Sequence, residues 1–316
     1  MDIGKTGSGY SKTFNQIIEE SQAEKIRIMK PTGYDKLVTT NNHISANLGN
    51  VKVEKMTKQQ YELFRHYLDE TNFSVSYKNK INRQLKALIK YANDKYDIIN
   101  TVPNKYPSFK DPNAPIREMD FYTLDEFKQF ISVVDDPRFY ALFITLFYMG
   151  FRIGEANALT WRDIDFNNRE ISITKTIHTK KADSKGNYLI TTPKTKSSVR
   201  TLPMPQIVFK ALSALYDYYF AFPGFSPLWA CFGGLKAFPE SSINHAKHKY
   251  AKLAGIREIR LHDFRHSCAS LLINHGANIT LVSKYLGHSD IKMTLNTYSH
   301  FYKSKLEELV STIDSL

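Results

Sequence analysis

Phe139-Tyr140-Ala141-Leu142-Phe143-Ile144-Thr145-Leu146-Phe147-Tyr148-Met149-Gly150-Phe151-Arg152-Ile153-Gly154-Glu155 is apolar as far as Phe151, interrupted by Thr145 and Gly150, and then abruptly charged. A run of this length is too short to span a bilayer, which takes about 20 residues. It predicts instead a buried helix, from about Pro137 to Met149, that stops at a glycine. An arginine that follows so rigid an anchor can present its two-pronged guanidinium to a phosphate, and Glu155, three residues on, can orient Arg152 from behind. Taken alone, the same Arg–Glu pair is more commonly an ordinary surface contact.

Upstream of this run, Thr123-Leu124-Asp125-Glu126 forms a capping box that predicts a helix through Val133. Downstream, Glu170 to Thr176 and Val199 to Leu202 alternate and are β-branched, as short strands are, and a Lys/Asp/Gly-rich connection separates them. Helical patterns resume over Pro205 to Tyr219, Ser241 to Ala254, His262 to His275, Thr280 to Leu286 and Ser304 to Ile313. The strands are few and clustered. The fold predicted is mainly α with a small antiparallel β-sheet.

Four prolines, Pro103, Pro107, Pro112 and Pro115, fall in a polar stretch between about Thr101 and Glu118 where neither periodicity survives. We read residues 106–118 as a linker between a helical domain at 13–105 and a mixed α+β domain at 119–302. A short lead, residues 1–12, is expected to lack structure, and residues 303–316 to form a C-terminal helix. In the first domain, Tyr34 to Ile44, Thr57 to Leu68 and Ser74 to Tyr96 read as helices. On the third of these, Tyr77, Ile81, Leu85, Leu88 and Ile89 fall on one side and Lys80, Arg83, Lys86 and Lys90 on the other. The basic side is either a solvated surface or a phosphate-tracking face, and the scarcity of acids on it favours the second.

A formal charge of +12, from 43 Lys and Arg against 31 Asp and Glu, favours a polyanionic partner. No signal peptide opens the chain, and its two cysteines, Cys231 and Cys268, call for no structural disulfide. A cytoplasmic, nucleoid-associated setting is the default, with no membrane partner.

Three further clusters carry chemistry. In Leu261-His262-Asp263-Phe264-Arg265-His266, the apolar stripe Leu261, Phe264, Cys268, Leu271 and Leu272 predicts a helix with His262 and Arg265 on one face. Two donors from one rigid element suit a phosphate on which negative charge grows. His262 and His266 also have the i, i+4 spacing of metal ligands, but no His-Glu-x-x-His and no Cys or acidic cluster completes a shell. In Tyr285-Leu286-Gly287-His288-Ser289-Asp290, glycine at a helix C-terminus puts His288 on a turn at the surface. Ten residues on stands Tyr298; a tyrosine by itself is far more often a packed side chain than a nucleophile.

The order of these clusters decides between the readings. Gly-x-Arg-x-x-Glu, His-x-x-Arg, Leu-Gly-His and Tyr, in that sequence, resembles the tyrosine recombinase (lambda-integrase) family, which includes integrases of phages and conjugative transposons. The likeness covers Asp120 to His300, and the helices from Lys30 to Pro103 resemble the family's core-binding domain more loosely. The resemblance implies that Arg152 and Arg265 clamp the scissile phosphate with His262 and His288 beside them, that Tyr298 is the nucleophile, and that Glu155 is a supporting acid. It also implies a lysine on a β-hairpin turn. Thr192-Pro193-Lys194-Thr195-Lys196-Ser197-Ser198 supplies Lys194, with Lys196 as the alternative.

Such an enzyme uses no metal and no nucleotide cofactor; charged donors take the place of the cation. It holds the DNA strand as a 3′-phosphotyrosine, acts on double-stranded attachment sites as a homotetramer on synapsed DNA, and can draw on accessory bending or directionality factors. Many relatives carry a separate arm-binding domain, which Met1 to Ser11 is too short to form. The competing readings are a non-catalytic DNA-binding protein, a type IB topoisomerase and a Xer-like housekeeping recombinase. The hairpin insertion Thr179 to Tyr188 favours a mobile-element integrase.

Overall fold

The computed structural model describes residues 11–111, 120–182, 188–193, 198–292, 295, 310 and 313–315. The chain divides into two compact units, Met1–Ile116 and Arg117–Leu316.

Among the described residues the first unit contains four α-helices: α1 (Phe14–Lys25), α2 (Pro31–Leu48), α3 (Lys58–Glu70) and α4 (Val75–Tyr96). Helix α1 is absent from the sequence expectation because its apolar stripe is short, only Phe14, Ile17 and Ile18 among polar neighbours. Two things make it a helix: the reciprocal cap between Thr13 and Gln16, and burial of that stripe against α2 and α4. The lead is tethered earlier than expected. Ser11 donates to Glu54 at 2.5 Å, and the Lys12 carbonyl accepts from Val53.

Helix α4 carries Ile81, Leu85, Leu88, Ile89 and Ala92 into the core, capped by Ser74 at its start and by left-handed Asp97 at its end. On its other side Arg83 and Lys90 are exposed and Lys80 and Lys86 half-buried. That side is less free of acid than the sequence suggests, because Asp94 pairs with Lys90 at 2.9 Å one turn on. The segment read as a linker is packed down as far as Phe109. Its ring is buried under the Arg65 guanidinium, and its backbone N–H and C=O are both bonded to the Asn79 side chain. A proline-rich pattern marks lost periodicity, not lost contact.

The second unit is built around α6 (Pro137–Met149), which is buried nearly all round, as its sequence requires. Against it lie α5 (Leu124–Ser132), α8 (Gln206–Phe220) and α10 (Asp263–Asn274), with the Phe127 and Phe147 rings stacked 3.7 Å apart. The short α7 (Ile153–Ala156) follows α6, α9 (Glu240–Ala254) covers α5, and α11 (Ile279–Leu286) packs on α10.

Strands β1 (Ile164–Asp165), β2 (Glu170–Ile173) and β5 (Arg200–Pro203) form an antiparallel sheet in the order β1-β2-β5; β3 (Thr176–Ala182) and β4 (Tyr188–Thr191) make a separate hairpin. The expected strand from Glu170 to Thr176 is therefore two strands in two sheets. It breaks at Thr174-Lys175, where Lys175 bonds Asp163 at 2.7 Å. The predominance of helix with little, antiparallel β-structure matches the sequence expectation, although the strands form two small sheets and not one.

Candidate active site

The site starts where α6 stops. Gly150 is left-handed at φ 61°, and a Cβ there would lie 2.5 Å from Leu286 Cδ2 and 3.0 Å from Cys268 Sγ. Only glycine allows both the turn and the close meeting of α6, α10 and α11. The freed Gly150 carbonyl accepts from Arg265 Nη1 at 2.8 Å, which places an α10 side chain at the end of α6.

Two residues on, Arg152 caps α7, and its side chain turns back onto Glu155, Nη1 to Oε1 at 2.6 Å. Glu155 Oε2 accepts from the Arg152 backbone N–H at 3.2 Å, so one carboxylate fixes both ends of the arginine. Glu155 is only 2% exposed, which settles the alternative left by the sequence: the Arg–Glu pair is not a surface contact.

A third arginine completes the arrangement. Arg200 on β5 reaches the same carboxylate, Nη2 to Oε2 at 3.2 Å, and is itself buried. It is absent from the sequence expectation, although a signal existed. In the alternation Val199, Arg200, Thr201, Leu202, the inward Leu202 puts Arg200 on the buried face. A buried guanidinium must find an acid.

Around Glu155 the charges do not balance. Arg152, Arg200 and Arg265 face one carboxylate, and Arg265 Nη2 is buried with no hydrogen-bond partner among the described residues. An unsatisfied buried donor costs about 1–3 kcal/mol, and more when charged, so the site is poised for an anion. Arg152 itself is about a third exposed.

The histidines border the same space. His262 sits at the N-cap of α10 and is exposed, with its ring edge-on to that of His266, centroids 5.0 Å apart. Gly287, left-handed at φ 71°, ends α11, and His288 follows, half-buried rather than at the surface. The turn is closed by Gly287 N–H to Lys284 O and His288 N–H to Ser283 O. It is held from outside by Arg200 Nε on Tyr285 O at 2.9 Å and Arg152 Nη2 on Gly287 O at 3.4 Å.

The electrostatics follow from burial and excess positive charge. Burial alone would raise Glu155, but Arg200 and then Arg152 overcome it and hold the carboxyl below its ordinary value. Burial, followed by Arg152, pulls Arg265 down to about 9, which leaves it charged at neutral pH. Burial and the nearby Arg265 lower His262; burial, Arg265 and Arg152 bring His288 to about 4; burial and His262 bring His266 to about 4. The pocket thus presents fixed guanidinium charge and neutral imidazoles.

Arg152, Glu155, His262, Arg265 and His288 are brought together. Tyr298, Lys194 and Lys196 lie outside the described residues. Lys80, Arg83, Lys86 and Lys90 belong to the first unit. Among the described residues, no group of three or more His, Cys, Asp or Glu is placed to hold a metal ion, and no helix is long and apolar enough to cross a membrane.

The chain is similar to known proteins over most of its length. Residues 120–305 match the family model described as the phage integrase family. The ICEBs1 integrase of Bacillus subtilis (strain 168) is 30% identical over 313 residues, covering 91% of this chain and 78% of that protein. The fold is similar to that of the Tn1549 transposon integrase in complex with a circular intermediate DNA, with a TM-score of 0.76, 22% identity, and 95% of this chain and 100% of that chain covered. It is also similar to a lambda integrase tetramer bound to a Holliday junction, with a TM-score of 0.64, 13% identity, and 90% and 80% covered. The chain therefore belongs to the phage integrase family: it is a tyrosine recombinase of the mobile-element type, an enzyme that cleaves and rejoins DNA through a tyrosine intermediate.

Proposed function

We propose that Arg152 and Arg265 grip the scissile phosphate of a double-stranded attachment site, with His262 and His288 as neighbouring donors, and that Tyr298 attacks it. The observation that carries this reading is the excess of guanidinium around one buried carboxylate, with Arg265 Nη2 left without a partner among the described residues. A phosphate oxygen is the ligand that such a donor lacks.

Tyrosine, with a solution pKa near 10, is a weak nucleophile, so the two arginines must both stabilise the pentacovalent oxygens and lower the barrier to attack. Tyr298 Oη gives up its proton to solvent and bonds to phosphorus as the phosphorus–O5′ bond breaks. Lys194, or Lys196 in its place, gives its proton to the departing 5′-oxygen. The 3′-phosphotyrosine conserves the free energy of the phosphodiester, so a 5′-hydroxyl from another duplex reseals it.

Each strand exchange needs paired sites, and we propose a homotetramer on synapsed DNA. The C-terminal stripe Leu306, Leu309, Val310, Ile313 and Leu316 would couple protomers; of these only Val310 and Ile313 are described, and both are exposed. Accessory bending or directionality factors, and a cytoplasmic, nucleoid-associated location, complete the proposal. The test is incubation with a nicked attachment site. A covalent protein–DNA adduct followed by a linear recombined product supports the reading; no adduct would leave a DNA-binding protein, and an adduct that only relaxes supercoils a topoisomerase. Truncation at about Lys303 should spare single-site binding and lower recombination.

A further inference from the structure

We propose that Arg200 is a positioning residue for strand exchange: its guanidinium joins Glu155 to the Tyr285–His288 turn and so sets where Arg152 and His288 stand. The inference rests on the assignment of this pocket to the scissile phosphate. Its basis is how the three arginines divide their donors.

Arg265 keeps a donor without a partner, and Arg152 is partly open to solvent. Arg200 differs on both counts. Its side chain is only 8% exposed, and it lies over the Phe151 ring at 5.7 Å. Its nitrogens reach three separate elements: Nη2 to Glu155 Oε2 on α7 at 3.2 Å, Nε to the Tyr285 carbonyl on α11 at 2.9 Å, and Nη1 to the Ser198 carbonyl before its own strand at 3.0 Å. Arg200 therefore faces inward and is not a phosphate ligand.

The Tyr285 bond gives this arrangement its purpose. The last carbonyls of a helix have no partner within it, and the closing turn of α11 uses only those of Ser283 and Lys284. Arg200 takes up the next one, Tyr285 O, and ties it to the carboxylate that orients Arg152. Arg152 in turn holds Gly287 O. A closed loop of contacts thus runs Glu155, Arg200, Tyr285, Gly287, Arg152 and back to Glu155, with His288 one residue outside it. Lysine would preserve the charge but not the fork, because a single ammonium cannot meet the carboxylate and both carbonyls in the guanidinium's fixed directions. Glutamine would preserve one neutral donor and lose the charge.

The experiment compares full-length Arg200→Lys and Arg200→Gln with the parent by two readouts. The first is the ring-carbon NMR signal of His288, assigned through His288→Gln; the second is the rate of adduct formation on a nicked attachment site. Melting curves monitor folding. In folded Arg200→Lys the His288 signal should shift and its titration move toward the ordinary histidine range, with cleavage slowed at least about tenfold and DNA affinity within about threefold of the parent. Combination with His288→Gln should cost much less than the product of the two single losses, since both act on one turn. An unmoved His288 signal, parental cleavage in either variant, or fully multiplicative losses would overturn the inference. So would failure of both variants to fold, which would make Arg200 a structural brace. If the parent itself forms no adduct, the phosphate assignment fails, while the His288 signal still decides whether Arg200 sets the turn.

Discussion

Arg265 Nη1 donates to the Gly150 carbonyl at 2.8 Å, so the C-cap of α6 is the bracket that holds an α10 arginine beside Glu155. The bond requires a left-handed residue with no Cβ, since Leu286 and Cys268 already fill the space beside it. Gly150→Ala should therefore cost about 1–2 kcal/mol in backbone strain and more through displacement of α11. The measurement is thermal melting alongside adduct formation: the melting temperature should fall, and cleavage should suffer more than DNA binding does. A variant as stable and active as the parent would show that the bracket is not needed.

Arg152→Ala and Arg265→Ala should each slow cleavage by about 10²–10³, the usual effect of removing one donor from a developing anion. Neither strands a buried acid, because Arg200 still pairs with Glu155. Circular dichroism should report a folded protein in both cases. Loss of fold with Arg152→Ala would mean that the Glu155 pairing depends on all three charges.

Tyr298→Phe removes one oxygen and keeps the ring. Affinity for the attachment site should be unchanged, and no covalent adduct should survive denaturing electrophoresis. An adduct formed by this variant would assign the nucleophile elsewhere.

Lys194→Ala should be slow on ordinary DNA and recover on a substrate whose leaving 5′-oxygen is replaced by sulfur, which needs little protonation. Tyr298→Phe should not recover. Rescue of Lys196→Ala in place of Lys194→Ala would move the general acid by two residues.

Acid should loosen the second unit. His266 and His288 are at about 4 in the folded protein, against about 6.5 for a free histidine. A histidine with a depressed folded value takes up its proton more readily when unfolded, so stability is complete above about pH 6.5 and declines as pH falls toward 4. Melting temperatures at pH 7.5 and pH 5 should differ by several degrees, and His266→Gln should narrow the gap. An unchanged gap in that variant would remove His266 from the account.

On α4, Arg83→Ala with Lys86→Ala should weaken DNA binding and reduce its salt slope by up to about one unit per lost phosphate contact. Lys90→Ala should do less, because Asp94 already pairs with that lysine. Equal salt slopes for all variants would assign this face to plain solvent exposure.

Much of this protein is written locally. The apolar run that ends at Gly150 fixes α6, the Thr123–Glu126 box starts α5, and Gly287 ends α11, because helix periodicity, capping and left-handed turns depend on residues a few positions apart. Arg152, His262, Arg265 and His288 were legible for the same reason: each lies in a short motif, and the order of the motifs is distinctive. Tertiary structure decided what depends on distant partners. Helix α1 has too short a stripe to declare itself and is a helix because α2 and α4 bury it. The strand from Glu170 splits at Thr174-Lys175, where the lysine pairs with Asp163, twelve residues back. Arg200 belongs to the pocket only because β5 pairs with β2 and turns it toward Glu155, 45 residues away. Sequence motifs name groups that can act on a phosphate. Which of them share a carboxylate, and which are left with a donor to offer, is set by packing between elements far apart in the chain.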